Sequence, residues 1–192
     1  IDLNSINKTY LWKIKIKKEA NLGKNLTLTG MMGVGKSTIG KILAKKLQYS
    51  FIDVDKLIEQ KEGLSINLIF KNKGEDYFRA IESKVTLSEL KKNNCVISLG
   101  GGAFLNKTVR KSAKKLSVSF WLDLPLNKLI ERLRKSKQRP LLFKKKTSEV
   151  VKKIYFDREK IYNKADFRIS CKSLKSQEIA NRILNFYEKS GN

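Results

Sequence analysis

One glycine-rich segment limits the possible fold and function of this chain more than any other feature. Residues 30–38 read GMMGVGKST. They match the pattern G-x-x-x-x-G-K-S/T, whose glycines let successive backbone N–H groups point at a chain of phosphates. Strand-forming residues precede the segment at 26–29, and apolar residues at helical spacing follow it at 39–47. A strand, a glycine turn and a helix are what phosphate binding requires, since the helix N-terminus adds a favourable dipole. The sequence therefore predicts a nucleotide-binding protein.

Two carboxylates follow in the next predicted strand, residues 51–55, which read FIDVD. We expect Asp53 and Asp55 to lie on one face of that strand, because alternate residues of a strand share a face. In a parallel sheet this strand end lies beside the phosphate loop, where ligands bind. One carboxylate can then serve Mg²⁺, directly or through water, and the other can meet an acceptor hydroxyl. The alternative is a pair of turn-capping aspartates.

The length and composition of the chain limit the class of protein to which it can belong. A chain of 192 residues suits one α/β domain, and no apolar run approaches the roughly 20 residues that a membrane-spanning helix needs. The two cysteines, Cys95 and Cys171, do not suggest a disulfide framework, and the lack of histidine argues against a zinc site. We therefore expect a cytoplasmic protein without a membrane partner, and we expect it to be a monomer.

The formal net charge of +24 is the most unusual property of the composition. It could indicate a nucleic-acid or anionic-membrane partner. The excess is mostly lysine, however, and it is spread along a chain that is also rich in asparagine and isoleucine. We favour a biased coding composition as its cause and expect no specific nucleic-acid partner.

Residues 1–23 precede the first core strand, and we treat them as an N-terminal arm or extension to a domain that spans residues 24–192. Apolar and basic residues alternate from 12 to 17, a strand-like period with one polar face. An added edge strand, the remnant of an upstream linker and a solvated arm are all compatible with this pattern.

A long helical pattern follows Asp55 and is interrupted at Gly63 and Gly74. Near its middle, Arg79 and Glu82 are three residues apart and so share a helix face. Taken alone, this spacing is most simply interpreted as a solvent-exposed ion pair.

Three consecutive glycines, Gly100, Gly101 and Gly102, follow an apolar strand at 96–99. Glycines at a strand end let the backbone approach a ligand closely and offer bare N–H donors. A flexible turn without a ligand is the alternative interpretation.

A basic segment covers residues 132–146, which contain eight basic residues and no acidic one, with RPLL at 139–142. As an exposed loop it could contact nucleic acid. In a phosphoryl-transfer enzyme we expect instead a mobile lid that brings Arg139 over the phosphates.

Together these landmarks resemble the shikimate kinase family, in their order and approximate spacing, from about residue 25 to residue 170. The matching features are the loop at 30–38, Asp53 with Asp55, F-R-x-x-E at 78–82, the triple glycine, RPLL at 139–142, and Arg158 followed by Tyr162. The phosphate loop alone marks a much larger superfamily, whereas the succession of the other motifs is more specific.

The resemblance implies a reaction in which the γ-phosphoryl group of ATP moves to the 3-hydroxyl of shikimate with the help of Mg²⁺. It implies that six residues hold the triphosphate: Gly33, Val34, Gly35, Lys36, Ser37 and Thr38. Ser37 would ligate the metal and Asp53 would support it through water. Lys36, Asp55 and Arg139 would form the catalytic set, with Asp55 orienting or deprotonating the attacking hydroxyl.

For the acceptor, the resemblance implies that Arg79 and Arg158 grip the carboxylate of shikimate. Gly101 and Gly102 would offer backbone donors. The acceptor-binding set is completed by Phe70 and Phe78 as pocket walls, by Asp55 and by Glu82. Arginines suit this task chemically, since their planar donors pair with a carboxylate through two hydrogen bonds.

The implied architecture is a three-layer α/β P-loop kinase fold. Five parallel strands would begin near residues 25, 51, 95, 118 and 167 in the spatial order 2-3-1-4-5, with helices on both faces of the sheet. Three alternatives stay open: a related small-molecule kinase such as a gluconate kinase, a nucleotide-dependent nucleic-acid-binding module, and a domain of a longer polypeptide.

Overall fold

The computed structural model describes residues 24–135, 147–172 and 174–190. The arm expected at residues 1–23 lies outside the described residues. The expected lid, with Arg139, lies almost wholly outside them as well.

A single five-stranded parallel sheet forms the middle layer of the domain. Its strands are β1 (Asn25–Thr29), β2 (Ser50–Asp53), β3 (Cys95–Ser98), β4 (Ser117–Asp123) and β5 (Phe167–Ser170). Their spatial order is β2-β3-β1-β4-β5, and every neighbouring pair is parallel. The predicted fold class and strand order are confirmed.

Seven helices cover the sheet within the described ranges. They are α1 (Lys36–Leu47), α2 (Val54–Glu62), α3 (Ile66–Leu90), α4 (Lys107–Leu116), α5 (Leu126–Lys135), α6 (Thr147–Tyr162) and α7 (Ser176–Lys189). The two predicted breaks are present, since α2 ends before Gly63 and a kink at Gly74 (φ 81°, ψ 172°) divides α3. No helix in the described part of the chain is long and apolar enough to cross a membrane.

The central strand β1 is buried along its whole length, as expected of a parallel strand covered on both faces. Leu26 and Leu28 are fully buried in the core that both helical layers share. The buried Asn25 side chain donates to the carbonyl oxygens of Leu90 and Lys92 and accepts from the backbone N–H of Cys95. These bonds tie the amino end of β1 to that of β3 and to the end of α3. Because β1 and β3 are parallel, their carboxyl ends meet at the opposite edge of the sheet, where ligands bind in such folds.

The expectation of a strand through Asp55 is wrong. Strand β2 ends at Asp53, and α2 begins at Val54. The Asp53 carboxylate accepts a hydrogen bond from the backbone N–H of Lys56 at 3.3 Å, as a helix N-cap does. Asp55 therefore lies in the first turn of a helix, and the turn-capping alternative applies to Asp53.

Candidate active site

The phosphate loop joins β1 to α1 and is shaped by its own backbone. Gly33 and Gly35 have φ angles of 79° and 104°, a region that residues with a side chain rarely adopt. The half-buried Lys36 ammonium donates to the carbonyl oxygens of Gly30 and Met31 at 3.0 and 3.1 Å. The loop therefore surrounds a cation at the N-terminus of a helix, an arrangement suited to anions.

The predicted nucleotide-binding residues differ in exposure along this loop. Gly33 and Thr38 are exposed, while Gly35 and Ser37 are half-buried. The Val34 side chain is buried in the core, so this residue presents only its backbone to a ligand.

Two oxygen ligands suited to a hard cation lie together beside the loop. The Ser37 hydroxyl donates to Oδ2 of Asp53 at 2.5 Å, which links the first turn of α1 to the end of β2. A hydroxyl and a carboxylate are the kind of oxygen donors that Mg²⁺ takes, with water and phosphate oxygens completing its shell. The chemistry of this pair therefore fits the predicted metal site.

The triple glycine forms a turn against which four of the other predicted acceptor residues pack, namely Asp55, Arg79, Glu82 and Arg158. A Cβ atom placed on Gly100 would overlap Oε1 of Glu82 and would lie 2.6 Å from Oδ1 of Asp55. A Cβ atom on Gly102 would overlap the guanidinium of Arg79. Gly100 and Gly102 are thus required by close approach, and we call residues 100–102 the glycine turn.

Arg79 lies between two carboxylates of its own helix. Its Nη1 donates to Glu82 at 2.7 Å, while Nε and Nη2 both donate to one oxygen of Glu75, at 3.1 and 3.0 Å. Desolvation lowers the pKa of Arg79, but the hydrogen bonds and charges of Glu82 and Glu75 outweigh it, and the net shift is upward. The guanidinium is therefore a fixed cation, and it also stacks over the Phe78 and Phe70 rings at 5.2 and 5.8 Å.

The interpretation of Arg79 and Glu82 as a solvent-exposed ion pair is wrong. Only 3% of the Glu82 side chain is exposed, against 34% for Arg79. Burial raises the pKa of Glu82, an effect that the Arg79 hydrogen bond and charge oppose and that the nearby Asp55 charge reinforces. Glu82 lies beneath the glycine turn, where it holds Arg79 in place.

The two predicted wall residues form one aromatic contact. Phe70 and Phe78 lie on either side of the kink at Gly74, with ring centroids 4.6 Å apart. Phe78 is buried in the core, whereas Phe70 is half-buried.

Helix α6 brings the second predicted arginine to the glycine turn. Nη1 of Arg158 donates to the carbonyl oxygen of Gly101 at 3.0 Å. The Tyr162 hydroxyl donates to the same oxygen at 2.5 Å. A Cβ atom on Gly101 would lie 3.7 Å from the backbone nitrogen of Met32, which places this turn directly beside the phosphate loop.

A pocket of about 340 Å³ opens beside the phosphate loop. It is lined by Leu124, Lys128, Glu131, Arg132, Cys171, Lys172 and Leu174. Arg132 connects it to the loop, because its Nη1 donates to the carbonyl oxygen of Val34 at 3.3 Å. Burial is the main cause that raises the pKa of the Cys171 thiol to about 12, so this lining group stays neutral.

Sequence reasoning missed Arg110 and Arg132, which shape the site, and it gave Tyr162 no role beyond its place in the family motif. Arg110 donates to the carbonyl oxygens of Phe104 and Leu105, in the 3₁₀ turn that follows the glycine turn. Arg132 was seen only as part of a basic segment, and its contact joins residues 98 positions apart. Tyr162 carried a usable signal, since it lies four residues after Arg158 and so on the same helix face.

Comparison with known sequences shows which protein family this chain matches. The family model described as shikimate kinase matches residues 32–188. The shikimate kinase of Sulfurihydrogenibium is 42% identical over 161 residues, which cover 84% of this chain and 96% of that protein. That of Persephonella marina is also 42% identical over 161 residues, covering 84% of this chain and 97% of that protein.

Solved structures agree with the sequence comparison. The shikimate kinase from Acinetobacter baumannii in complex with shikimate matches with a TM-score of 0.84 at 29% identity, covering 91% of this chain and 98% of that one. A gluconokinase from Sinorhizobium meliloti matches with a TM-score of 0.55 at 16% identity, covering 88% and 94%. The second likeness is one of fold alone.

Proposed function

Because this chain belongs to the shikimate kinase family, we propose that its site transfers the γ-phosphoryl group of ATP to the 3-hydroxyl of shikimate. One observation supports the assignment of this reaction to particular residues. The glycine turn brings Asp55, Arg79 and Arg158 together beside the phosphate loop. A carboxylate-bearing alcohol is the acceptor that two arginines and one carboxylate suit best.

On the nucleotide side, the backbone N–H groups of residues 33–38 and the Lys36 ammonium hold the β- and γ-phosphates. Lys36 exchanges its contacts with the carbonyl oxygens of Gly30 and Met31 for phosphate oxygens. A positive charge at this position stabilises the charge on the transferring group. The pocket beside Arg132 has the position and the cationic lining to receive the nucleoside end.

On the acceptor side, Arg79 and Arg158 hold the carboxylate, and N–H groups of Gly101 and Gly102 add donors. Phe70 and Phe78 bound the acceptor beside Arg79. Asp55 orients the attacking hydroxyl and takes its proton. A bond then forms between that oxygen and the γ-phosphorus, the bond from the γ-phosphorus to its bridging oxygen breaks, and ADP leaves. Most of the catalysis comes from positioning and charge stabilisation.

We propose that Ser37 holds Mg²⁺ directly and that Asp53 supports it through water, since their oxygens already lie together. The ion would neutralise charge on the phosphates when it is bound. Arg139, from the basic segment, completes the proposed catalytic set as the group that closes over the phosphates.

We place the reaction in the cytoplasm. ATP is available there, and both cysteines are buried and unpaired, which suits a reducing compartment.

A coupled assay of ADP release tests this function directly. With ATP and Mg²⁺, shikimate should accelerate ADP release strongly, while gluconate at the same concentration should not. ADP release that does not depend on shikimate would support the nucleotide site but contradict the assignment of shikimate as the acceptor. Faster release with gluconate would favour the related sugar-acid kinases.

A further inference from the structure

The Gly101 carbonyl oxygen receives two hydrogen bonds from one face of α6. Arg158 and Tyr162 are four residues apart, and both donate to this oxygen, at 3.0 and 2.5 Å. A carbonyl oxygen has two lone pairs, so the two donors together satisfy it fully. The turn that we propose to hold the acceptor is therefore tied to α6 at a single atom.

Tyr162 is the rigid member of this pair. Its side chain is 1% exposed, its ring lies 6.1 Å from that of Trp121, and its hydroxyl lies 4.0 Å from the sulfur of Met31 in the phosphate loop. Arg158 is only half-buried, and its long side chain has further donors that the Gly101 bond leaves available to a ligand. A fixed hydroxyl thus holds the carbonyl against which a movable guanidinium rests.

We propose that Tyr162 is a positioning residue for the acceptor, which acts by fixing the Gly101 carbonyl that orients Arg158. When Arg158 turns a donor toward the acceptor carboxylate, the Tyr162 hydroxyl keeps the carbonyl paired and in place. Without that hydroxyl there are two outcomes. Either Arg158 stays bonded to the Gly101 carbonyl oxygen and does not reach the acceptor, or it leaves and the carbonyl oxygen has no hydrogen bond. An unpaired carbonyl away from water costs free energy. The inference rests on the proposed function, because it assumes a carboxylate acceptor.

The substitution Tyr162→Phe removes the hydroxyl and keeps the buried ring. We expect the KM for shikimate to rise about tenfold, the effect of one such hydrogen bond, while the KM for ATP stays within about twofold. The matched control is Tyr155→Phe on the same helix, because its hydroxyl donates to Asp123 and not to the glycine turn. Its KM for shikimate should equal that of the unmodified chain.

A double-mutant cycle separates positioning from general support of the fold. In an Arg158→Met background, Tyr162→Phe should add less than about twofold, because the guanidinium that it orients is gone. A further tenfold loss in that background, or equal increases in both KM values, would overturn the inference. An unchanged KM for shikimate in Tyr162→Phe, with an active unmodified chain, would overturn it alone. No shikimate-dependent ADP release by the unmodified chain would overturn the proposed function and this inference together.

Discussion

The phosphate loop and the acceptor region are built by the chain in opposite ways. The loop is one continuous segment, and Lys36 finds both of its carbonyl partners within six residues. The acceptor region collects its side chains from α2, α3 and α6 around the glycine turn, and Arg158 donates across 57 residues of sequence. The first site is therefore a local structure, whereas the second exists only when the tertiary fold is complete.

This difference predicts how many neighbouring groups a substitution affects in each region. We expect a substitution in the phosphate loop to remove one of the proposed interactions with the nucleotide and to leave the neighbouring residues in place. A substitution near the glycine turn moves several groups at once, because Glu82, Arg79 and Arg158 all contact that turn or one another. Effects in the acceptor region should therefore be strongly coupled.

The largest effect should come from Lys36→Ala. We expect kcat to fall about 1,000-fold, because this change deletes the positive charge that we propose to stabilise the transferring group. Lys41→Ala, an exposed lysine on the same helix, should leave turnover unchanged and serves as the control. Near-normal turnover in Lys36→Ala would contradict the proposed role of the phosphate loop in the reaction.

A smaller but more selective effect should come from Gly102→Ala. The new methyl group overlaps the Arg79 guanidinium, so that side chain must shift, and we expect kcat/KM for shikimate to fall by up to about 100-fold. The KM for ATP should change little. In the control Gly63→Ala, the new methyl group lies more than 4 Å from every described residue other than its two neighbours in the chain. Its left-handed backbone should cost about 1 kcal/mol of stability without affecting acceptor kinetics.

The substitution Arg79→Lys tests the acceptor region without leaving Glu82 buried and unpaired. Lysine keeps a cation near Glu82 but loses the planar fork, so we expect the KM for shikimate to rise about tenfold. Arg168→Lys is the matched control, because Arg168 also pairs with a carboxylate through two nitrogens, at Asp123. Equal increases in the KM values for shikimate and ATP in Arg79→Lys would indicate a structural role instead.

The same contrast explains how far the sequence could be interpreted. The phosphate loop is encoded in consecutive residues, and the five strands coincide with short segments that contain strand-forming residues, so both could be located before the structure was known. The extent of β2 could not, because residues 51–55 were expected to form one strand through Asp55, whereas Asp53 caps a helix that begins at Val54.

Burial was the property least visible in sequence. Arg79 and Glu82 have the spacing of an ordinary surface pair, but Glu82 is a buried carboxylate, and the glycine turn packs directly against it. The contact of Arg132 with the phosphate loop was equally hidden, because no periodicity records which loop a helix meets.

The smallest effect should come from Glu75→Gln, and its sign is informative. Glu75 is 64% exposed, and one of its oxygens occupies Nε and Nη2 of Arg79, an edge that could otherwise pair with the acceptor carboxylate. An exposed ion pair contributes little, so we expect the KM for shikimate to fall about two- to threefold when this competing charge is removed. The gain should shrink at high salt, which screens exposed charges. A rise in KM would mean that Glu75 orients Arg79 and does not compete for it, which would extend the coupled acceptor region to the surface of α3.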